Sequence, residues 1–278
     1  MRAPALPEGF VTSSHRNVTL VSDVHCTDAL VRAGLDDPSG WRRRLASGNR
    51  RRQQEGRGAT ARVELTPACV ARIKQLRRGG WLAPLWRDRF AGTHRVLENL
   101  RLPVEAARSG IATPAPLALL IERGLPGLVR AWLAVEEIDD ATDLRECFVS
   151  GRPPEPGELD AVLRLVRTMH ERGLEHRDLN LGNLLLRRSG EPAAWVVDLD
   201  GARLHLGPLP FTTRQRALRR LERSYVKTCH PRPAGDSVRR SIYTSYAAGD
   251  SALERRLARG RRAGRVWIQL HRLGWRGK

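Results

Sequence analysis

One stretch constrains the fold of this 278-residue chain more than any other. Residues 176–186 read His-Arg-Asp-Leu-Asn-Leu-Gly-Asn-Leu-Leu-Leu, and they follow a segment with helical spacing of its apolar residues. The apolar runs Leu184–Leu186 and Trp195–Val197 have the length of short strands and are separated by a Ser-Gly turn signal. A hairpin between these runs would reverse the direction of the chain, so that Asp198 lies next to the loop that precedes the first strand.

Three side chains of this stretch have the chemistry that phosphoryl transfer needs. A carboxylate must accept or orient the proton of the attacking hydroxyl, and oxygen ligands must hold Mg²⁺ against the phosphates of ATP. The spacing HRDxxxxN assigns the first role to Asp178 and the second to Asn183 and Asp198. His176 is expected to be structural, packing in the loop and bonding the backbone. Together with the helix before it and the strand pair after it, this pattern matches the catalytic loop of protein kinases.

Two departures from protein kinases indicate a different acceptor. Asp198-Leu199-Asp200 stands where protein kinases have Asp-Phe-Gly, with Asp200 as a further candidate for the site, and no Ala-Pro-Glu segment follows. Instead, Gly201–Pro210 leads directly into a helical segment. A peptide substrate needs a long activation segment, for which this chain has no room. The pattern therefore favours a sugar or another small hydroxyl compound as the acceptor.

The chain resembles the lipopolysaccharide kinase (Kdo/WaaP) family, and within it the 3-deoxy-D-manno-octulosonic acid (Kdo) kinases. The resemblance covers roughly residues 55–230 and rests on five elements: Arg77-Arg78-Gly79-Gly80, Gly110–Pro116, the HRDLNLGNLLL loop, Val197–Asp200 and Leu221–Lys227. It implies ATP-dependent phosphorylation of a Kdo hydroxyl on a lipid A precursor. It also implies a peripheral location on the cytoplasmic face of the inner membrane of a Gram-negative bacterium.

The order of predicted elements indicates an α+β protein with a bilobal, protein-kinase-like fold. Residues 1–138 would form a small β-rich N-lobe, of which the first 40 residues are hard to assign, and residues 139–278 a larger helical C-lobe. Further expectations are a hairpin of Ala61–Leu65 with Cys69–Leu76 and a helix around Thr93–Ser109, broken or offset by Pro103.

The N-lobe is expected to bind the nucleotide. Lys74, on the strand before Arg77-Arg78-Gly79-Gly80, stands where kinases carry the lysine that anchors the α- and β-phosphates. Its usual partner is a glutamate on the next helix; we favour Glu98, although the family spacing falls closer to Asn99. Gly56-Arg57-Gly58 is a weak candidate for covering the phosphates.

The net charge of +19 predicts an anionic partner, while 41% hydrophobic residues exclude a disordered polycation. Beside a kinase site, this charge fits ATP, phosphorylated lipid A and an acidic membrane surface, and no nucleic-acid module accompanies it. Residues 251–278 interleave basic residues with Trp267 and Trp275, which suits either a membrane interface or a C-terminal helix docked on the C-lobe. The first ten residues, MRAPALPEGF, contain no apolar core of the kind that signal sequences have, and the four cysteines form no CxxC pair. We therefore expect a cytoplasmic protein with reduced thiols.

The residues leave other functions open. A heptose kinase or an aminoglycoside/choline-type phosphotransferase would need the same catalytic loop. A non-catalytic kinase-like protein could bind acidic lipid or nucleic acid, although intact Asp178, Asn183 and Asp198 argue against it. The acceptor hydroxyl and the oligomeric state are also left open.

Overall fold

The structure is a computed structural model that describes residues 6–48, 59–77, 88–230 and 235–259. The chain divides into two compact units. The first comprises Met1–Glu105 and Pro114–Ile138, and the second comprises Ala106–Thr113 and Asp139–Lys278. No helix among the described residues is long and apolar enough to cross a membrane.

The first unit is built on an antiparallel sheet of seven strands. They are β1 (Phe10–His15), β2 (Val18–Asp23), β3 (Thr60–Thr66), β4 (Cys69–Gln75), β5 (Phe90–Ala91), β6 (Pro116–Arg123) and β7 (Leu128–Glu136). The order across the sheet is β1-β2-β6-β7-β4-β3, and β5 pairs with β7. The predicted hairpin corresponds to β3 and β4, which pair from Thr60 opposite Lys74 to Thr66 opposite Cys69.

Three helices cover the two faces of this sheet. They are α1 (Thr27–Arg32), α2 (Pro38–Ser47) and α3 (His94–Arg108). Successive strand residues point to opposite faces, so neighbours such as Leu20 and Val21 belong to different cores. Leu20 packs with residues of α1 and α2, whereas Val21 packs with residues of α3.

The sequence pattern left the first 40 residues unassigned. Of these, residues 6–40 extend the sheet by two strands and form α1 and the start of α2. Trp41 explains why this segment packs firmly, because its side chain is fully buried and its indole N–H donates to the Leu35 carbonyl at 2.7 Å. The helix near Pro103 also differs from expectation. It continues from His94 to Arg108, so the proline does not break it.

The second unit is mainly helical. Its helices are α4 (Leu144–Val149), α5 (Pro156–Glu171), α6 (Phe211–Cys229) and α7 (Asp236–Ala247), and residues 251–259 are also helical. Short strands accompany them: β8 (Ala141–Asp143), β9 (Leu174–Glu175), β10 (Leu184–Arg187), β11 (Ala193–Val196) and β12 (Arg203–Leu204). The α+β class, with a β-rich first unit and a helical second unit, is therefore confirmed.

Two buried polar groups fix the packing of these helices. On α5, Nδ1 of His170 lies 2.9 Å from the hydroxyl of Tyr246 on α7. On α6, the Glu222 carboxylate is 1% exposed. It accepts from Nε of Arg239 at 2.9 Å and from the Tyr243 hydroxyl at 2.7 Å. A buried charge is tolerated only when it is paired in this way, so the register between α6 and α7 is strongly specified.

We predict that His170 makes the stability of the protein depend on pH. Burial, assisted by the charge of Arg214, lowers the pKa of His170 from 6.5 to about 3. As the pH falls below 6.5, His170 binds a proton in the unfolded chain but stays neutral in the native protein. The free energy of unfolding should therefore fall by up to about 1.4 kcal/mol per pH unit from this group.

The variant His170→Asn keeps a hydrogen-bond acceptor near Nδ1 but cannot titrate. Urea unfolding between pH 4 and 6.5 should give it a shallower pH dependence than wild type. His25→Asn, which changes an exposed imidazole, is the matched control and should leave the slope unchanged. Parallel curves for wild type and His170→Asn would contradict the prediction.

Candidate active site

The second unit folds the HRDLNLGNLLL segment into a loop that ends in a hairpin. A 3-10 turn, Leu181–Asn183, follows directly on the loop, and β10 then pairs with β11, with Leu184 opposite Val196. The amide of Val197 continues this pairing by donating to the Asn183 carbonyl at 3.0 Å. Asp198 is consequently the next residue after the one that pairs with Asn183, as the sequence predicts.

His176 joins the two ends of this arrangement. The side chain is buried, its Nε2 lies 3.1 Å from the Val197 carbonyl, and its Nδ1 accepts from the backbone N–H of Asp178 at 3.3 Å. A carbonyl only accepts and an amide only donates, so the imidazole is neutral with its hydrogen on Nε2. Burial also lowers the pKa of His176. The expectation that this residue is structural is confirmed.

Two asparagines hold the backbone and side chain of Asp178. Nδ2 of Asn180 donates to the Asp178 carbonyl at 2.9 Å and to its carboxylate Oδ2 at 3.2 Å. Nδ2 of Asn183 donates to the same carbonyl at 3.0 Å. The side chain of Asn180 also accepts from the amide of Gly182 and so caps the start of the 3-10 turn. The result is an exposed carboxylate on a backbone fixed from three sides.

Asp198 has a backbone conformation that few residues adopt. Its φ is +61°, in the left-handed region, where aspartate and asparagine are tolerated better than most side chains. The carboxylate belongs to an exposed residue, and Asp200, two positions on, is half-buried. This conformation could not be predicted from the sequence, because an Asp-Leu-Asp tripeptide is compatible with many backbone conformations.

Helix α6 supports the loop from behind. The Ser224 hydroxyl accepts from the amide of Leu181 at 3.2 Å, and the Arg220 guanidinium donates to the Arg177 carbonyl. Both residues lie in or beside the segment Leu221–Lys227, which the sequence analysis recognised as a family element without giving it a role. Its role is to hold the loop that carries Asp178.

The nucleotide-side residues lie in the first unit. Lys74 is a half-buried residue of β4, opposite Leu133 of β7. Glu98, on α3, receives two hydrogen bonds from Arg101, from Nε at 3.1 Å and from Nη2 at 2.9 Å. The neighbouring Asn99 is buried and donates to the Arg95 carbonyl. The pairing of Lys74 with Glu98 stays a prediction.

Several predicted elements lie outside the described residues. They are Gly56-Arg57-Gly58, Arg78-Gly79-Gly80 and residues 260–278 of the basic C-terminal segment.

The loop presents oxygen donors but no ready-made metal cage. In the described ranges, no three His, Cys, Asp or Glu side chains come together as a metal centre. The hydrogen bond from Nδ2 of Asn183 leaves the amide oxygen as the atom available to a cation, and Asp198 contributes a carboxylate. Mg²⁺ is usually bound by one or two carboxylates with substrate phosphates and waters, so this donor set fits it.

Comparison with known proteins agrees with this chemistry. Residues 46–243 match the lipopolysaccharide kinase (Kdo/WaaP) family. A 3-deoxy-D-manno-octulosonic acid kinase of Xylella fastidiosa (strain 9a5c) is 34% identical over 230 residues, which are 81% of this chain and 87% of that protein. The enzyme of the same name from Xanthomonas axonopodis pv. citri (strain 306) is 32% identical over 82% of this chain and 86% of its own length.

A loop with the kinase pattern HRDxxxxN, followed by Asp198, is thus present in a chain whose residues 46–243 match a kinase family. The chain belongs to the lipopolysaccharide kinase (Kdo/WaaP) family. A solved structure described as WaaP in complex with acyl carrier protein has a TM-score of 0.46 and 20% identity, covering 73% of this chain and 83% of that one.

We predict that the support from α6 is measurable as stability. Ser224→Ala removes the acceptor of the Leu181 amide and should lower the free energy of unfolding by about 1 kcal/mol. Ser241→Ala is the matched control, because the Ser241 hydroxyl bonds only the Ser237 carbonyl of its own helix. Urea denaturation of both variants tests this, and equal losses would show that the bond to Leu181 contributes nothing specific.

Proposed function

We propose that this protein transfers the γ-phosphate of ATP to a hydroxyl of Kdo on a lipid A precursor. Membership of the lipopolysaccharide kinase family supports a phosphotransferase with a sugar hydroxyl as acceptor. The observation that carries the proposal is the exposed Asp178 carboxylate on a loop fixed by His176, Asn180 and Asn183.

Asp178 is proposed to accept or orient the proton of the acceptor hydroxyl. As that oxygen forms its bond to the γ-phosphorus, the bond from phosphorus to the leaving ADP oxygen breaks and the hydroxyl proton passes to the carboxylate. Such a transfer depends mainly on positioning and on stabilised charge. The hydrogen bond from Asn180 to Oδ2 limits the rotation of the carboxylate, so the other oxygen, Oδ1, is the proposed proton acceptor.

Asn183 and Asp198 are the residues proposed to hold Mg²⁺ through their side-chain oxygens. When bound, the ion neutralises charge on the phosphates of ATP. The imidazole of His176 keeps these residues in register, since it ties the backbone of Asp178 to that of Val197. In the first unit, Lys74 is proposed to anchor the α- and β-phosphates, with Glu98 as its partner.

The acceptor places the enzyme, in our proposal, on the cytoplasmic face of the inner membrane as a peripheral protein. The net charge of +19 supports this, because cationic surfaces are attracted to acidic headgroups.

We predict that incubation with ATP, Mg²⁺ and Kdo-lipid A yields a glycolipid heavier by one phosphate, as seen by mass spectrometry. Asp178→Asn should slow this reaction about a hundredfold or more while ATP still binds, because only the proton acceptor is removed. Asp160→Asn, on helix α5, is the matched control and should react at the wild-type rate. Wild-type turnover by Asp178→Asn would refute the role of Asp178.

The same assay separates the other functions. Phosphate on a heptose-containing core but not on Kdo-lipid A would make the protein a heptose kinase. Nucleotide binding without phosphorylation of any envelope glycolipid or aminoglycoside would make it non-catalytic.

We predict that Asp198→Asn removes the effect of Mg²⁺ on ATP binding. Asparagine also adopts the left-handed region, so the backbone should be retained while the charge is lost. Calorimetric titration with ATP should show Mg²⁺ tightening the binding to wild type but not to Asp198→Asn. The control is Asp140→Asn, another exposed aspartate at positive φ (+54°), and it should behave as wild type. Full Mg²⁺ dependence in Asp198→Asn would remove this residue from the metal site.

A further inference from the structure

Helix α6 carries a row of basic side chains on one face. Arg216, Arg220, Arg223 and Lys227 follow one another at spacings of four, three and four residues, which place them along one side of a helix. We call these four residues the cationic stripe. Arg216, Arg223 and Lys227 are exposed, and Arg220 is half-buried.

The cationic stripe lies beside the catalytic loop. Arg220 donates from its guanidinium to the carbonyl of Arg177, which is the peptide group linked to Asp178. One residue past Arg223, the Ser224 hydroxyl accepts from the amide of Leu181 in the same loop. The face of α6 that bears the stripe is therefore the face that touches the loop, and the exposed side chain of Arg177 adds a further cation there.

These charges lack acidic partners. In the described part of the chain, Arg177, Arg216, Arg223 and Lys227 form no ion pair. Arg220 bonds a neutral carbonyl and, among the described residues, forms no ion pair. The acidic residue of this part of α6, Glu222, is buried and engaged by Arg239 and Tyr243. Its charge is already balanced there and does not offset the stripe.

Paired arginines also occur in the same unit. Arg167, which is half-buried, pairs with Glu171, and Arg188 pairs with Glu158, whereas no residue of the cationic stripe has such a partner among the described residues. Five like charges that lie together and form no ion pairs within the described residues repel one another, and a bound anion would relieve this repulsion. Guanidinium groups bind carboxylate and phosphate oxygens through paired hydrogen bonds.

The geometry points to an oxyanion subsite for the acceptor, formed by the cationic stripe and Arg177 beside Asp178. The subsite would bind a carboxylate or phosphate of the glycolipid and so set which hydroxyl reaches Asp178. This inference rests on the proposed function, because it names the group by which the acceptor of that reaction is held.

Arg223→Gln and Lys227→Gln test the subsite, since neither side chain bonds the catalytic loop. Each should raise the KM for Kdo-lipid A about tenfold, the loss expected for one charge-assisted contact. The kcat and the KM for ATP should stay at wild-type values. Arg240→Gln, an exposed arginine on α7, removes the same charge away from the loop and should leave all three constants unchanged.

Three acceptors identify the anion. If the variants raise the KM for Kdo-lipid A but not for its dephosphorylated form, the subsite binds a lipid A phosphate. If the KM rises for Kdo-lipid A and for its dephosphorylated form, but not for Kdo-lipid A whose Kdo carboxylate is methyl-esterified, the subsite binds the sugar carboxylate. An equal effect on all three acceptors, or an effect of Arg240→Gln as large as that of Arg223→Gln, would overturn the subsite.

A binding measurement without turnover keeps the two proposals separable. Isothermal titration, in the absence of ATP, would use free Kdo and the deacylated, bisphosphorylated glucosamine disaccharide of lipid A as probes. Binding of either probe to wild type that weakens in Arg223→Gln supports the subsite even if Kdo-lipid A is not phosphorylated. No binding of either probe to wild type overturns the subsite, whatever the enzyme's activity. An active wild type whose variants are unaffected would leave the proposed function standing and remove the subsite alone.

Discussion

The candidate site depends on the two hydrogen bonds of one buried imidazole. His176 accepts from the backbone of Asp178 and donates to the carbonyl of Val197, so a single side chain sets the distance between the two carboxylate-bearing segments. Only the neutral tautomer with its hydrogen on Nε2 makes both bonds. Burial favours that neutral form by lowering the pKa of His176. Asp178, the proposed proton acceptor, and Asp198, the proposed metal ligand, are thus kept together by a buried imidazole that bonds the backbone of both segments.

The helical layer behind the loop extends this constraint. Ser224 and Arg220 bond the loop, and they can do so only while α6 keeps its rotation. That rotation is fixed by Glu222, whose buried carboxylate needs both Arg239 and Tyr243 from α7. If α6 slid or turned, the buried Glu222 carboxylate would lose these partners, and an unpaired buried charge raises the free energy of the folded state. Other rotations of α6 are therefore disfavoured by the loss of this buried ion pair.

Much of this arrangement could be predicted because short-range sequence patterns determine it. The β3–β4 hairpin and the β10–β11 hairpin are encoded by apolar runs flanking turn residues, and the structure places them as expected. The prediction that Pro103 breaks or offsets the helix was wrong, because α3 continues through that residue in the structure. The first 40 residues were left unassigned because β2, which pairs with β1, has its other partner in β6, about 100 positions further along the chain. The positive φ of Asp198 has no local signature either.

The supporting residues of the site were missed for a related reason. Ser224 and Arg220 lie more than 40 residues from the loop they bond. Serine and arginine are also common on the solvent-exposed face of a helix, so the sequence does not single them out. For the same reason, the sequence alone could not show where the net charge of +19 concentrates on the folded protein. Once α6 packs beside the loop, four basic residues fall in a row next to the segment that carries Asp178. In our proposal, a charge excess that by itself indicates only an anionic partner would there orient the acceptor hydroxyl toward Asp178.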